Sequence, residues 1–446
     1  MSGRSVTLEQ ARAGTPYAAY SYAYPHKTAY RRLDPPRPLG EVWAGEDRSA
    51  LYFYLHVPFC EMRCGFCNLF TTANANDARV ERYLAALERQ ARAVRAAVGP
   101  ASFARAAIGG GTPTYLSARD LERVLRLARD VFGLDPRRTP TSVETSPRTA
   151  DADKLGVLRE HGVERISIGV QSLVDAEVAA AGRAQKVAWV DAAVGRIRAA
   201  GFPTLNLDLI YGLPGQTVDS WARSLAAALE YRPEELYLYP LYVRPLTGLD
   251  RRAARAEDQL RVECYRAGRD LLAAAGYEQL SMRMFRSRSA PDAGGPVYCC
   301  QDDGMLGLGC GARSYTESLH YSSEYAVGAA GVTEILDSFA ARSADAFAHA
   351  DYGCELNADE RRRRWVVKSL LRMPGLCAEA YRAEFGTDVA GDFPELRLLA
   401  DEGWTEAAAG ASVTRLTPAG LERSDAIGPL FYSAAMTRLS DEYELE

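Results

Sequence analysis

An α/β fold is predicted: a partial (β/α)6 TIM-like barrel followed by a C-terminal helical, winged-helix-like domain. Two observations predict it. Between residues 51 and about 245, six short apolar runs alternate with amphipathic stretches, and βα units in series build a parallel sheet with right-handed crossovers. After about residue 357, three helical patterns are followed by a strand-like "SVTRLT" and a final helix. Three helices with a small ribbon suggest a winged helix.

The strand candidates, in order, are "LYFYLHV" (51–57), "ARAAIG" (104–109), "SVET" (142–145), "RISIGV" (165–170), "LNLDLIY" (205–211) and "ELYLYPLY" (235–242). The helix candidates between them are 77–98, 117–132, 151–161, 187–200 and 217–230. In the first, Val80, Tyr83, Leu84 and Leu87 recur at i, i+3, i+4 and i+7, which puts one apolar stripe against a sheet. Ahead of the barrel, residues 1–48 form a leader arm. Its "YAAYSYAYPHKTAYRRL" carries alternating Tyr20, Tyr22 and Tyr24, read as a short strand or an arm packed on the body, and "DPPRP" (34–38) is expected to break regular structure. The barrel core spans 49–250, a less regular segment at 251–354 completes it on the substrate side, and 355–446 is the helical domain. "RRRRW" (361–365) is expected on a solvated helix face.

Composition excludes several classes. A formal net charge of -5 with no strongly basic block gives no footprint for nucleic acid, and the third C-terminal helix carries Glu395, Asp401 and Glu402. No stretch nears about 20 consecutive apolar residues, so no membrane helix is expected, and the N-terminus lacks the apolar core of a signal peptide. The protein reads as cytoplasmic. Nine cysteines in 446 residues, without a secretory signal, fit reduced thiols with some binding metal.

Three of them, Cys60, Cys64 and Cys67, fall within eight residues directly after the first strand, in "FYLHVPFCEMRCGFCNLF". Function in such folds sits on loops at the carboxyl ends of strands. A structural zinc site closes with four ligands, and no fourth Cys or His follows nearby. A cubane cluster held by three cysteines leaves one iron open for a small molecule.

The CxxxCxxC spacing, with Phe66 before the third cysteine, resembles the radical S-adenosylmethionine superfamily. "GGGTPTYL" (109–116), "VERISIGVQS" (163–172) and "LDLIYGLPGQT" (207–217) are similar to its HemN-like group, which holds anaerobic coproporphyrinogen III dehydrogenases, HemW-type haem chaperones, and radical methyltransferases and cyclopropanases. The resemblance covers about 17–440 and is strongest over 51–217. It implies a 4Fe–4S cluster on Cys60, Cys64 and Cys67, and S-adenosylmethionine cleaved by one electron to a 5′-deoxyadenosyl radical. The electron would come from a donor such as flavodoxin or ferredoxin. It further implies that Gly110, Gly111 and Thr112 meet the methionine end of the cofactor and that Tyr54 touches its sulfonium side. Phe66 lies in the binding loop, and Glu144, Gln171, Arg183 and Asp208 form a polar set for nucleoside and carboxylate. Arginine forks onto carboxylates, and a carboxylate inside an apolar strand is costly without a partner.

Two departures bear on the reaction. The dehydrogenases carry a cysteine two residues after the third, where this chain has Leu69, and the HNxxYW haem signature of the chaperones is missing: His320 stands in "LHYSSEY" and His349 in "FAHADY". Radical C–C bond chemistry on a small metabolite, by methyl or methylene transfer or ring formation, is therefore the first expectation. Porphyrinogen decarboxylation and haem carriage are the alternatives. Gln301 and Gly307-x-Gly309 resemble the segment that holds a second S-adenosylmethionine, which would give Gln301 a catalytic and cofactor-binding role. Cys299, Cys300 and Cys310 are read as ligands, reactive thiols or, preferentially, small core residues. "SMRMFRSR" (281–288) with Arg313 suggests a cationic wall for a carboxylate- or phosphate-bearing substrate.

Overall fold

The computed structural model describes residues 7–18, 20–252, 257–291, 304–408 and 412–444. One sheet of thirteen strands organises it. In chain order the strands are β1 (Arg31–Pro38), β2 (Leu51–Val57), β3 (Phe103–Gly110), β4 (Thr141–Thr145), β5 (Arg165–Gln171), β6 (Thr204–Tyr211), β7 (Glu235–Pro240), β8 (Tyr277–Gln279), β9 (Met284–Ser287), β10 (Met305–Leu308), β11 (Arg313–Tyr315), β12 (Leu319–Ser322) and β13 (His349–Glu355). Their spatial order is β1-β13-β12-β11-β10-β2-β3-β4-β5-β6-β7-β9-β8. The run from β10 through β7 is parallel, and both flanks are antiparallel.

The six expected parallel strands are all present, each within two residues of its expected ends. They are linked by α1 (Asp77–Val98), α2 (Ala118–Phe132), α3 (Ala152–Glu160), α4 (Val187–Ala199) and α5 (Val218–Glu230). Local chemistry sets these boundaries. The Asn76 side chain accepts from the Arg79 amide to start α1, Ser117 does the same for α2, and Gly133 in the left-handed region ends α2. The partial barrel is an open sheet, with β10 as a seventh parallel strand beside β2.

Tyr20, Tyr22 and Tyr24 form the expected arm packed on the body and not a strand: Tyr20 and Tyr22 lie over Arg283, and Tyr24 packs in the C-terminal core. Three other expectations fail. The leader strand is β1, which contains the "DPPRP" expected to break structure. Proline lacks an amide donor and is tolerated on an edge; β1 is the sheet's edge, and its pairing with β13 shifts register between Arg32 and Arg37. Second, residues 253–345 are more regular than their sequence suggests, holding α6 (Asp258–Ala274), α7 (Ala329–Ala341) and the five strands β8 to β12. Those strands are only three or four residues long, too short for a period to show. Third, the arginine run is not a solvated face: Arg364 is buried and reaches the carbonyl of Tyr24, while Arg361 and Arg363 pair with Glu317 and Asp359.

The C-terminal region has α8 (Ala358–Leu370), β14 (Leu376–Cys377), α9 (Ala378–Phe385), α10 (Glu395–Asp401), β15 (Thr405–Ala407) and β16 (Val413–Leu416), with sheet order β14-β16-β15. This is the expected winged-helix-like arrangement. Its apolar core is separate from the barrel's and is shared with the leader: Tyr24, Ala29 and Tyr30 pack with Val366, Leu370, Tyr381, Ile427 and Phe431.

Candidate functional site

The carboxyl ends of β2 to β6 converge on the cysteine loop. That loop is held by backbone bonds on both sides: the Gly65 amide donates to Ala181 O at 3.1 Å, and the Leu249 amide donates to Gly65 O at 2.7 Å. Cys60, Cys64 and Cys67 are each half-buried and free. Thr112 Oγ1 lies 3.6 Å from the Cys60 sulfur, and Arg183 Nη1 lies 3.1 Å from that of Cys64. Burial pushes the Cys60 thiol up to about 12, and burial followed by Cys64 raises Cys67. Such thiols stay protonated without metal, so metal binding releases protons.

The glycines of "GGGTPT" have separate duties. Gly110 has φ +109, and a Cβ there would lie 2.5 Å from the His56 ring. A Cβ on Gly111 would lie 2.6 Å from the Phe59 carbonyl oxygen and 3.0 Å from the Cys60 sulfur. Only glycine lets the turn after β3 lie against the cysteine loop.

Behind this turn stand two carboxylates, Glu144 with accessible surface and Asp208 half-buried. Glu144 accepts from the Gly110 amide at 3.0 Å. Burial, then the charge of Asp208, pushes it up to about 7. Asp208 accepts from Asn206 Nδ2 at 2.8 Å and Ser167 Oγ at 3.2 Å, yet burial still raises it. Arg183 ties the polar set to the cysteines, donating also to Gly169 O at 2.8 Å and Gln185 Oε1 at 2.8 Å. Gln171 sits at φ +68 where the β5–β6 register shifts, a sparsely populated conformation of the kind that clusters at ligand sites.

Of the expected site residues, Cys60, Cys64, Cys67, Gly110, Gly111, Thr112, Glu144, Gln171 and Arg183 lie on these strand ends or the loops that follow them, while Tyr54 and Asp208 lie within β2 and β6. Phe66 packs on the small apolar cluster of Ala181, Ile210, Leu213, Leu241 and Leu249. Gln301, Cys299 and Cys300 lie outside the described residues. Cys310 is fully buried core. The cationic wall expected from "SMRMFRSR" is not there. Arg283 is buried against Asp425 at 2.5 Å and between the rings of Tyr20 and Tyr22, and Arg286 pairs with Glu235 at 2.9 Å.

His56 was missed. It is buried two residues after Tyr54, on the same face of β2. The Tyr54 hydroxyl lies 3.3 Å from Nδ1, and Nε2 lies 3.0 Å from Phe70 O. A carbonyl only accepts, so Nε2 carries the proton and Nδ1 accepts from Tyr54. Burial lowers the ring to about 4, so it is neutral at pH 7. The signal was a lone histidine in the apolar run "LYFYLHV".

Among the described residues, no group of three or more His, Cys, Asp or Glu is placed to hold a single metal ion. A cubane asks for something else: each thiolate takes a different iron, so three sulfurs arranged around a larger body, without a fourth ligand, fit it.

The Radical SAM superfamily model matches residues 54–228. The chain is 31% identical over 366 residues to the oxygen-independent coproporphyrinogen III oxidase of Pseudomonas aeruginosa, covering 78% of this chain and 77% of that one. It is 28% identical over 356 residues to the heme chaperone HemW of Bacillus subtilis, covering 78% and 91%. The coproporphyrinogen III oxidase HemN of Escherichia coli shares the fold, with a TM-score of 0.74 at 24% identity over 91% of this chain and 96% of that one. With three thiols at the strand ends and this likeness over most of its length, the chain belongs to the HemN-like group of the radical SAM superfamily and uses a 4Fe–4S cluster and S-adenosylmethionine.

Proposed function

We propose that the chain is a HemN-like radical enzyme acting on a carboxylate-bearing substrate, with oxidative decarboxylation of a porphyrinogen as the reaction. The 31% identity to a coproporphyrinogen III oxidase across 78% of the chain supports this above the metabolite alkylation suggested by Leu69. The observation that carries it in the site is the placement of Thr112 against Cys60 and Arg183 against Cys64, with Glu144 and Asp208 behind them.

Cys60, Cys64 and Cys67 would hold the cluster. Tyr54, Gly110, Gly111, Thr112, Glu144, Gln171, Arg183 and Asp208 would hold S-adenosylmethionine. Together the two cofactors supply a 5′-deoxyadenosyl radical once a flavodoxin- or ferredoxin-type donor gives an electron. The chain's own residues bind, orient and exclude water. Arg183 places a positive charge at the Cys64 sulfur. Glu144 and Asp208 offer acceptors to the cofactor's hydroxyl and ammonium donors. The neutral His56 holds the Tyr54 hydroxyl in place. The leader covers the strand ends and shields reactive species from solvent.

The test is anaerobic turnover of coproporphyrinogen III by reconstituted protein. Carbon dioxide release matched by 5′-deoxyadenosine is expected. Cleavage of S-adenosylmethionine without carbon dioxide would remove the porphyrinogen and retain the radical chemistry. Similarity to HemW favours haem carriage as a second reading. The chain lacks the HNxxYW signature, and His320 is fully buried against the Tyr315 ring; a haem titration that shows no specific binding would dismiss this reading.

A further inference from the structure

Gln216 closes the turn "GLPGQT" after β6, and its side chain folds back on that turn. Oε1 accepts from the Gly212 amide at 2.6 Å and the Leu213 amide at 3.3 Å, while Nε2 donates to Glu177 Oε2 at 2.9 Å. Glu177 is a buried carboxylate on the short helix Asp175–Ala180. Two serines complete its shell: Ser172 Oγ donates to Oε2 at 2.6 Å, and Ser220 Oγ donates to Oε1 at 2.5 Å. Ser172 stands just after β5, Gln216 in the turn after β6, and Ser220 in the first turn of α5. One carboxylate therefore gathers the exits of two neighbouring strands and the start of a helix.

Its three donors are neutral groups, not cations. A carboxylate in such a place is costly unless its oxygens are hydrogen-bonded, and a fully bonded polar network rigidifies the chain around it. The chain so fixed is the seat of the cysteine loop. At the far end of the segment that begins with Glu177, Ala181 O accepts from the Gly65 amide at 3.1 Å, and Arg183 Nη1 lies 3.1 Å from the Cys64 sulfur. The approach is close: a Cβ on Gly65 would lie 2.6 Å from Ala181 O, and Gly182 has φ +69. On the Gln216 side, Leu213 shares an apolar cluster with Ala181, and Phe66 of the cysteine loop packs on it. One arm of the network thus reaches the loop through backbone, the other through an apolar contact.

We propose that Glu177 is a positioning residue for the cluster: through Ser172, Gln216 and Ser220 it locks the turn after β6 to the segment 177–183, and the locked pair holds the cysteine loop in one shape. It acts on the thiols through Ala181 and Leu213. This rests on the reading that Cys60, Cys64 and Cys67 hold the cluster, and it is independent of the substrate.

The test exploits polarity. In Glu177→Gln an amide donor replaces one acceptor, facing groups that also donate. In Gln216→Glu the donor is lost and two carboxylates face each other. With both substitutions the pair is bonded again with its polarity reversed, position 177 donating and position 216 accepting, and position 216 still accepts from the Gly212 and Leu213 amides. Anaerobically reconstituted full-length protein is measured for the rate of iron release to a chelator and for the electron paramagnetic resonance of the reduced cluster. Each single variant should release iron about tenfold faster than the wild type, the size of effect usual for groups that orient metal ligands, and should broaden the resonance. The double variant should restore both. Ser220→Ala, which removes one donor, should change them in the same direction and by less. Cys354→Ala, in the second core, gives the change that lost stability alone produces, with unfolding midpoints measured for every variant. Iron release that is unchanged in the single variants, that follows the unfolding midpoint as in Cys354→Ala, or that is not restored in the double variant overturns the clamp. A wild type that takes up no cluster overturns the cluster site as well, so the two failures are distinguishable.

Discussion

The two apolar cores of this protein are built on opposite principles. The barrel core joins neighbours in sequence: each of β2 to β6 pairs with the strand that follows it, across a helical connection. The second core joins the ends of the chain, with Tyr24 and Tyr30 packed among Val366, Tyr381 and Phe431. Cysteine shows the difference. On the barrel rim three thiols are free, half-buried and close to Thr112 and Arg183, whereas Cys354 in the second core is buried with its sulfur 3.6 Å from that of Met436. The barrel core carries the chemistry, and the second core holds the leader over it.

The largest expected effect tests that division. Replacing Cys60, Cys64 or Cys67 by alanine should reduce reductive cleavage of S-adenosylmethionine to background, measured as 5′-deoxyadenosine under anaerobic conditions. Cys354→Ala should retain cleavage and lose only packing, about 1 to 2 kcal/mol in denaturant unfolding. Equal losses in both regions would erase the distinction.

Next comes the joint between the cores. Arg283 belongs to the barrel side and Asp425 to the C-terminal side, and both are buried. Removing one partner of a buried pair strands the other, at about 3 to 5 kcal/mol. Asp425→Ala should therefore lower the unfolding midpoint strongly. Arg283→Met with Asp425→Leu should recover much of the loss, because Arg283 Nε and Nη1 and Asp425 Oδ1 have no hydrogen-bond partner among the described residues.

Glu144 sharpens the comparison from the barrel side. Its folded pKa, about 7, lies above the ordinary 4.5. Between these values the folded state holds a proton that the unfolded chain releases, so stability falls as pH rises through this window. Glu144 keeps accessible surface, so solvent screens much of that loss. Glu144→Gln should raise the stability of the cofactor-free protein modestly at pH 8, with less gain at pH 5, and should weaken S-adenosylmethionine binding. An equal gain at both pH values would show that titration is not the cause.

The smallest effect is a control on the surface of the second core. Arg415 and Glu406 pair at 2.7 Å with both side chains well exposed, and such pairs are worth roughly 0 to 1 kcal/mol. Arg415→Ala should change stability by no more than that, in thermal unfolding.

Legibility followed the same line. The ends of α1 could be read at the residue because Asn76 caps it and its apolar stripe repeats every third and fourth residue. The cysteine loop could be read because its spacing is itself the chemistry. His56 could not, since a lone histidine in an apolar strand reads as filler until Tyr54 and Phe70 O are placed beside it. The two ends of "SMRMFRSR" misled for a similar reason: arginine is mostly a surface residue, and only Asp425 and Glu235, distant in sequence, make burial tolerable here.

By itself the sequence determined the six parallel strands, their crossing helices and the position of three thiols at a strand end. Periodicity, caps and motif spacing are local properties, complete within a few tens of residues. Only the tertiary structure decided that the leader's strand is its proline-rich segment, that both chain ends share one core, and that Lys27 stands over the Tyr325 ring. Those outcomes depend on which distant groups compensate a buried charge or an unpaired strand edge, and no stretch of sequence carries that information alone.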